Sequence, residues 1–329
     1  MKLASFHAAG RDRIGVLTSE GRLADIADVL KAPSATQPVP EDMLSLIRAG
    51  APLLDAVREA CARASARPGR VRRYDPDEVS WHPPVRTPSK VVCLALNNRA
   101  LDKIKIRAPT DHPAFFLKPH TALTGHRCPI RLRNAYGLTH PEPELGVVIG
   151  YQLKDVTPEA AMAGVFGYTI VNDVTSVGMR EEDSFSVRYF KPGDTPGTVV
   201  LGEAHTTYPG RYKASDTFAP MGPCLVTRDE IPDPAALRIE CRLGERLVAA
   251  DHSRNYVWDV AHALAHISRT MTLLPGDVVS MGTAVGGDED DPAAPHVPGV
   301  TRADLIGFDG LVSVSIERIG TLANPVQMI

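Results

Sequence analysis

Glu142 and Glu144 stand two residues apart at the entry to an apolar run, Leu145-Gly146-Val147-Val148-Ile149. In an extended strand, residues i and i+2 share a face, so this spacing projects both carboxylates to one side. A second apolar run, Tyr168-Thr169-Ile170-Val171, ends in Asn172-Asp173. If the two runs end side by side, three carboxylates converge. Unit charges about 4 Å apart repel by roughly 1 kcal/mol in water and by about 4 kcal/mol at an effective dielectric near 20. Such a group needs a compensating cation. Ligation by a few carboxylates alone suits Mg²⁺ or Mn²⁺, with water or substrate completing an octahedron. Spacing alone also allows solvated charges at strand ends.

The elements around these residues set the fold class. From Val91 onward the chain is a succession of short β-branched runs, among them Val91–Leu96, Cys224–Thr227, Ile239–Leu243, Val278–Ser280 and Leu311–Ile316. Only two helical stretches interrupt them, Pro158–Gly164 and Val257–Arg269. Many strands with few helices predict an α+β protein that is mostly β, with mixed pairing, and not a doubly wound βαβ sheet. Residues 1–66 read as a small N-terminal α+β domain, with helical patterns at 42–47 and 53–60. Residues 67–90, rich in Arg and Pro, read as a linker, and 91–329 as the catalytic domain. His262 and His266 lie four apart on the second helix without the Glu of HExxH, so they read as ordinary helix histidines. The acidic loop 286–291 reads as solvated.

Composition narrows the function. With 36 Lys+Arg against 39 Asp+Glu the net charge is −3, which excludes a general electrostatic hold on nucleic acid or an anionic membrane. No apolar run reaches the roughly 20 residues of a bilayer span, and the N-terminal stretch has no apolar core of a signal peptide. Five scattered cysteines form no CxxC pair. Reduced thiols and a cytoplasmic location are the expectation. Neither GxGxxG nor GxxxxGK[ST] occurs, so no nucleotide is implied.

Seven stretches in order give a resemblance. They are Phe115–Pro119, Glu142–Gly150, Phe166–Thr175, Lys213–Pro223, Ile267–Asp277, Gly282-Thr283 and Ile319–Val326. Together they make residues 91–326 similar to the fumarylacetoacetate hydrolase family. The resemblance implies a mixed β-roll catalytic domain, a homodimer, and one divalent cation, Mg²⁺ or Mn²⁺, on Glu142, Glu144 and Asp173. It implies a 2-oxo acid substrate, acylpyruvate-like or fumarylacetoacetate-like, of the kind met in aromatic catabolism. A C–C bond would be hydrolysed through a metal-stabilised enolate. Lys213 matches the family's substrate-side lysine, and Thr283 would hydrogen-bond the substrate carboxylate.

The sequence also departs from that pattern. Family hydrolases carry a lid reading Asn-Tyr-x-x-His-x-x-Glu, whose His–Glu pair activates water. Here the lid reads Asn97-Asn98-Arg99-Ala100-Leu101-Asp102-Lys103-Ile104, and neither Leu101 nor Ile104 can accept a proton. After Asp173 the usual Ala-Arg-Asp becomes Ser176-Val177-Gly178, and a frequent Gln becomes Arg180, a cation suited to an anionic ligand. Asp111 with His112, in the same lid, could supply a substitute base. Otherwise the site suits chemistry without an attacking water: isomerisation, tautomerisation or decarboxylation of a 2-oxo acid. A metal-binding pseudoenzyme is the third reading. The connection 181–212 is longer than is usual in the family, and would either shape a pocket or form a surface or dimer contact.

Overall fold

Leu3, Ala4 and Phe6 are fully buried in the first strand, Lys2–Ala8, and this burial ties the N-terminus into the body of the protein. That strand pairs with Arg11–Leu17 along one edge. Its other edge is shared by Ser80–His82 and by Ala219–Thr227, with Leu3 opposite Leu225. The chain is described here from a computed structural model, covering residues 1–30, 39–65, 71–102, 109–285 and 303–329.

One large sheet crosses the molecule. From Lys2–Ala8 it continues through Ala219–Thr227, Val165–Asn172, Pro143–Ile149, Val278–Ser280 and Val91–Ala95 to Ala114–Lys118. Pairing on this path is antiparallel except between Val278–Ser280 and Val91–Ala95. A second, five-stranded sheet runs Arg246–His252, Arg238–Leu243, Leu311–Ile316, Gly320–Met328, Ile130–Leu132, the last pair parallel. The main core fills the space between the sheets. Leu145 and Ile170 come from the first, Ile239 and Val312 from the second, and Leu264 and Ile267 from the helix Val260–Thr270. Every residue of Pro143–Ile149 is buried, which explains its unbroken apolar run: a strand covered on both faces does not alternate. The protein is thus α+β and mostly β, with mixed pairing.

Two details differ from the sequence pattern. Residues 42–65 hold two helical segments within Met43–Ser65, broken at Gly50 (φ 71°, ψ −159°) just before Pro52. The first is capped by the Asp42 carboxylate, which accepts from the Ser45 amide at 2.7 Å. The segment 67–90, expected to be a linker, contributes the strands Arg73–Tyr74 and Ser80–His82 to the large sheet. Trp81, 5% exposed, and the fully buried Val85 anchor it, and the Trp81 indole N–H donates to the Pro76 carbonyl at 3.0 Å. All five cysteines are free thiols. Among the described residues, no helix is long and apolar enough to cross a membrane. The acidic stretch 286–291 lies outside the described residues.

Candidate metal centre and active site

The strands Pro143–Ile149 and Val165–Asn172 are antiparallel neighbours, with Pro143 opposite Asn172 and Glu144 opposite Val171. The ladder continues past the strand ends. The Asp173 amide donates to the Glu142 carbonyl at 2.9 Å, and the Glu142 amide donates to Asn172 Oδ1 at 2.9 Å. This register sets Glu142 beside Asp173 and Glu144 two pairs further in, on the same face. Carboxylate oxygens of Glu142, Glu144 and Asp173 lie within 4.8 Å of one another. Glu144 and Asp173 are each 1% exposed.

Second contacts fix each carboxylate. Ser280 Oγ donates to Glu144 Oε2 at 2.5 Å and the Gly282 amide at 3.0 Å. Gly282 has φ +94°, and a Cβ there would come within 2.9 Å of the Asn97 Cβ, so a side chain would force apart the backbone that delivers this N–H. The Thr175 hydroxyl donates to Glu142 Oε1 at 2.8 Å. The Thr283 hydroxyl lies 3.0 Å from Glu142 Oε2 and 3.2 Å from Glu144 Oε1. It therefore faces the carboxylates themselves.

Two lysines enter the same cluster. Lys213, on the short helix Arg211–Ala214, places Nζ 2.7 Å from Glu142 Oε2 and 2.6 Å from Asp173 Oδ2. The Phe116 ring lies 5.0 Å from that ammonium. Lys118, the last residue of Ala114–Lys118 and 1% exposed, donates to Asp173 Oδ1, to the Phe218 carbonyl at 2.8 Å and to the Val174 carbonyl at 3.4 Å. All three Lys118 donors are thereby used. Lys213 keeps one N–H beyond its two carboxylate bonds.

Three carboxylates against two ammonium groups leave the cluster one positive charge short. The acid–base balance shows where that charge comes from. Desolvation, then the charges of Asp173 and Glu142, push the Glu144 carboxyl up to about 8, although Lys213 and the Ser280 hydroxyl pull the other way. Desolvation also opposes ionisation of Glu142, but Lys213 and His140 outweigh it and bring that group down to about 2. Desolvation would lower the Lys213 ammonium, yet Asp173, Glu142 and Glu144 hold it above the ordinary lysine range. At neutral pH the metal-free cluster therefore keeps a proton on Glu144, in the place where a cation would supply charge. An all-oxygen, closely spaced donor set that is one positive charge short fits a hard divalent ion.

His140 also belongs here, 4% exposed, with Nε2 3.8 Å from Glu142 Oε1. Its Nδ1 lies 3.2 Å from the Pro141 carbonyl. A carbonyl only accepts, so Nδ1 carries the hydrogen and neutral His140 presents an unprotonated Nε2. Burial holds its pKa below the ordinary range. Neither Lys118 nor His140 was assigned a role from sequence. Each carried a signal: an isolated Lys in the apolar run Phe115–Lys118, and a His two residues before the first carboxylate.

Asp111 and His112 are not brought to this cluster. His112 stacks on His266 of the Val260–Thr270 helix, ring centroids 5.2 Å apart, and is 45% exposed with Asp111 3.8 Å away. It precedes the strand Ala114–Lys118, whose four residue steps at roughly 3.3 Å each separate its first residue from Lys118 by about 13 Å. Arg180 is exposed on the helix Val177–Glu182. Its charge reaches His140, but among the described residues it does not bond to the carboxylates. Leu101, where family hydrolases bear His, ends the 3-10 turn Arg99–Leu101 and packs into the main core. Asn98 caps that turn, accepting from the Ala100 amide at 2.9 Å. Lys103 and Ile104 lie outside the described residues.

Residues 90–327 match the fumarylacetoacetate (FAA) hydrolase C-terminal family, and the chain belongs to that family. It is 25% identical over 332 residues to the oxaloacetate tautomerase YisK of Bacillus subtilis, covering 99% of this chain and 100% of that one. It is 30% identical over 248 residues to the mitochondrial oxaloacetate tautomerase FAHD2B of Bos taurus, covering 75% of this chain and 70% of that one. Among solved structures it resembles maleylpyruvate hydrolase from Sphingobium sp. SYK-6, in complex with manganese (II) ion and pyruvate. That likeness has TM-score 0.68 and 28% identity, covering 100% of this chain and 99% of the other. These relatives are enzymes acting on 2-oxo acids.

Proposed function

We propose that this protein is a divalent-metal-dependent enzyme that interconverts keto and enol forms of a 2-oxo acid, with oxaloacetate-like dicarboxylates as the substrate class. The observation that carries this reading is the pairing of a complete carboxylate cluster with a lid whose proton-accepting position is the core residue Leu101. Hydrolysis needs a base held against an attacking water, whereas tautomerisation needs only enolate stabilisation and one group to carry a proton.

Glu142, Glu144 and Asp173 would hold Mg²⁺ or Mn²⁺. The bound cation would polarise the keto oxygen and stabilise enolate charge. Lys118 spends its donors on Asp173 and two carbonyls, so it positions that ligand. Lys213 offers its remaining N–H to the developing oxyanion, a preorganised charge of the kind that dominates such barriers. His140, neutral with Nε2 open toward the cluster, takes the proton from the carbon beside the keto group and returns it to the oxygen.

Hydrolysis of the C–C bond of an acylpyruvate is the second reading, favoured by the likeness to maleylpyruvate hydrolase. Enol absorbance and pyruvate release, followed side by side with Mg²⁺ and with EDTA, separate the two. Metal-dependent loss of the oxaloacetate enol signal without acylpyruvate cleavage is the expected result. Faster pyruvate release than tautomerisation would overturn the proposal.

A further inference from the structure

His7, Asp12 and His82 project from one face of three neighbouring strands. His7 and Asp12 stand directly opposite each other in the hairpin of Lys2–Ala8 and Arg11–Leu17. His82 lies opposite Ser5, across the other edge of Lys2–Ala8. Ser5 is two residues from His7 and shares its face, as cross-strand partners do. The small Ser5 side chain lets the His82 ring reach over the middle strand. His7 Nδ1 comes to 2.9 Å and His82 Nε2 to 3.0 Å from the same atom, Asp12 Oδ1. The other carboxylate oxygen, Oδ2, accepts from Arg86. One donor atom from each of His7, Asp12 and His82 lies within 4.8 Å of the other two. The cluster shares no residue with the carboxylate centre.

Two imidazole nitrogens and one carboxylate oxygen aimed at a common point are the donor set of a borderline divalent ion such as Zn²⁺, whereas Mg²⁺ and Mn²⁺ favour oxygen donors. Around an ion with bonds of about 2.0–2.1 Å, tetrahedral ligands stand about 3.3 Å apart. The two nitrogens therefore need retreat from Oδ1 by only a few tenths of an ångström. A carboxylate only accepts, so in the metal-free chain both facing nitrogens carry hydrogens. A metal would replace those hydrogens, each neutral ring moving its own to the far nitrogen. Hydrogen bonds from His7, His82 and Arg86 hold the Asp12 carboxyl well below the usual carboxylate range, so that ligand is already ionised. Arg86 on Oδ2 is the kind of outer partner that orients a ligating carboxylate. The backbone after His82 is fixed as well, because the Ser5 hydroxyl donates to the Pro84 carbonyl at 2.7 Å. A cavity of about 210 Å³ bordered by Asp12, His82 and Arg86 has room for the water that completes a three-ligand site. The side chains of His7 and Asp12 are 45% and 48% exposed, so an ion can enter without unfolding.

We propose that His7, Asp12 and His82 form a second, separate metal site, selective for Zn²⁺ or a similar imidazole-preferring divalent ion. Its ligands come from the strands Lys2–Ala8, Arg11–Leu17 and Ser80–His82. One ion would thus staple the N-terminal hairpin to the segment that leads into Val91–Ala95. Binding only to the folded chain, it adds stability by mass action, independently of any ion on Glu142, Glu144 and Asp173.

Glu144→Gln, which disables the carboxylate centre, isolates this site in the full chain. Titration of that variant with Zn²⁺ should show one ion bound at micromolar concentration or below, with a rise in melting temperature. Co²⁺ should bind in its place and give the visible absorption of a low-coordinate nitrogen–oxygen site. Adding His7→Gln or His82→Gln should abolish both signals. Arg86→Gln should weaken binding about 10- to 100-fold, the usual cost of losing a partner that orients a ligand. In the otherwise wild-type chain, His7→Gln and His82→Gln should keep the Mn²⁺ thermal shift of the carboxylate centre, which checks that both fold. No Zn²⁺ binding to the Glu144→Gln chain overturns the proposal. So does binding held only at millimolar concentration, or binding that survives either histidine substitution.

Discussion

Lys213 Nζ lies 2.6 Å from Asp173 Oδ2, with the lysine side chain 10% exposed and the aspartate 1%. Removing one member of a buried pair leaves an uncompensated charge, which typically costs 3–5 kcal/mol. Lys213→Met should therefore lower the stability of the metal-free protein by about 2–4 kcal/mol, Lys118 still holding the other Asp173 oxygen. Added Mn²⁺ should recover most of that loss. With saturating metal, turnover should still fall by roughly 100-fold, because the substrate-side N–H is gone. Wild-type turnover in that variant would remove Lys213 from the chemistry.

The proton on Glu144 predicts a pH-dependent metal site. A carboxyl held up to about 8 must lose its proton when a cation binds, so below pH 8 affinity should fall about tenfold per pH unit and one proton should be released. Calorimetry at pH 7 in buffers of different ionisation heat reads that proton directly. At 100 times the dissociation constant the metal should add about 2.7 kcal/mol of stability, a shift of several degrees in a chain this long. Glu144→Gln should abolish both signals. Retention of the thermal shift in Glu142→Ala, Glu144→Gln and Asp173→Ala alike would eliminate the site.

How much of this was legible from sequence depended on whether a residue's partners were local. The i, i+2 spacing of Glu142 and Glu144 placed two carboxylates on one face without any tertiary knowledge, whereas Asp173 joined them only if the two runs lay side by side, and as a ligand through the family resemblance. Lys118 was hidden because its role depends on Asp173, Val174 and Phe218, which only the closed sheet brings to it. His112 looked close to the site because Phe115-Phe116 follow it, but an extended strand carries neighbours apart and leaves it on His266. The Arg- and Pro-rich stretch 67–90 concealed two isolated anchors, Trp81 and Val85, too sparse to show a period. The hairpin at 185–206, Phe185–Pro192 paired with Val199–Thr206, gave no clean alternation because both its faces are partly apolar.

His126 gives an acid-stability prediction remote from the metal. Desolvation, with a smaller contribution from Arg127, lowers its pKa to about 4. Its Nδ1 accepts from the Ala323 amide at 3.0 Å, a bond that only an unprotonated nitrogen can make. In the unfolded chain an imidazole titrates near 6.5. Between pH 6.5 and 4 the unfolded state therefore binds more protons, and stability falls as pH falls through that window, by roughly 2 kcal/mol after allowing for partial exposure. His126→Asn keeps an acceptor for Ala323 and removes the titration. Unfolding measured from pH 7 to 4 should show a flatter decline in the variant. An unchanged slope would contradict the assignment.

The lid position supplies the sharpest contrast between tautomerase and hydrolase. Leu101 is 8% exposed within the main core, at the end of a turn that Asn98 caps and ties to Asp251 Oδ2 at 2.7 Å. Asn97 pins the same root by donating to the carbonyls of Met281 at 2.8 Å and Trp258 at 2.9 Å. A histidine at 101 would thus extend from a turn whose fixed root, Asn97 and Asn98, contacts Gly282 and Thr283, both of which bond to the carboxylates. A general base is typically worth 100- to 10,000-fold. Leu101→His/Ile104→Glu should therefore gain at least tenfold in acylpyruvate hydrolysis, at some cost in stability from burying a polar ring where Leu101 packed. Metal-dependent tautomerisation should persist, because its ligands are untouched. His112→Ala should leave both activities unchanged, since His112 packs on His266 and not on the cluster. Parallel measurement of pyruvate release and enol decay checks both variants. Loss of activity in His112→Ala, with no gain in the double variant, would move the base back to His112 and make hydrolysis the native reaction.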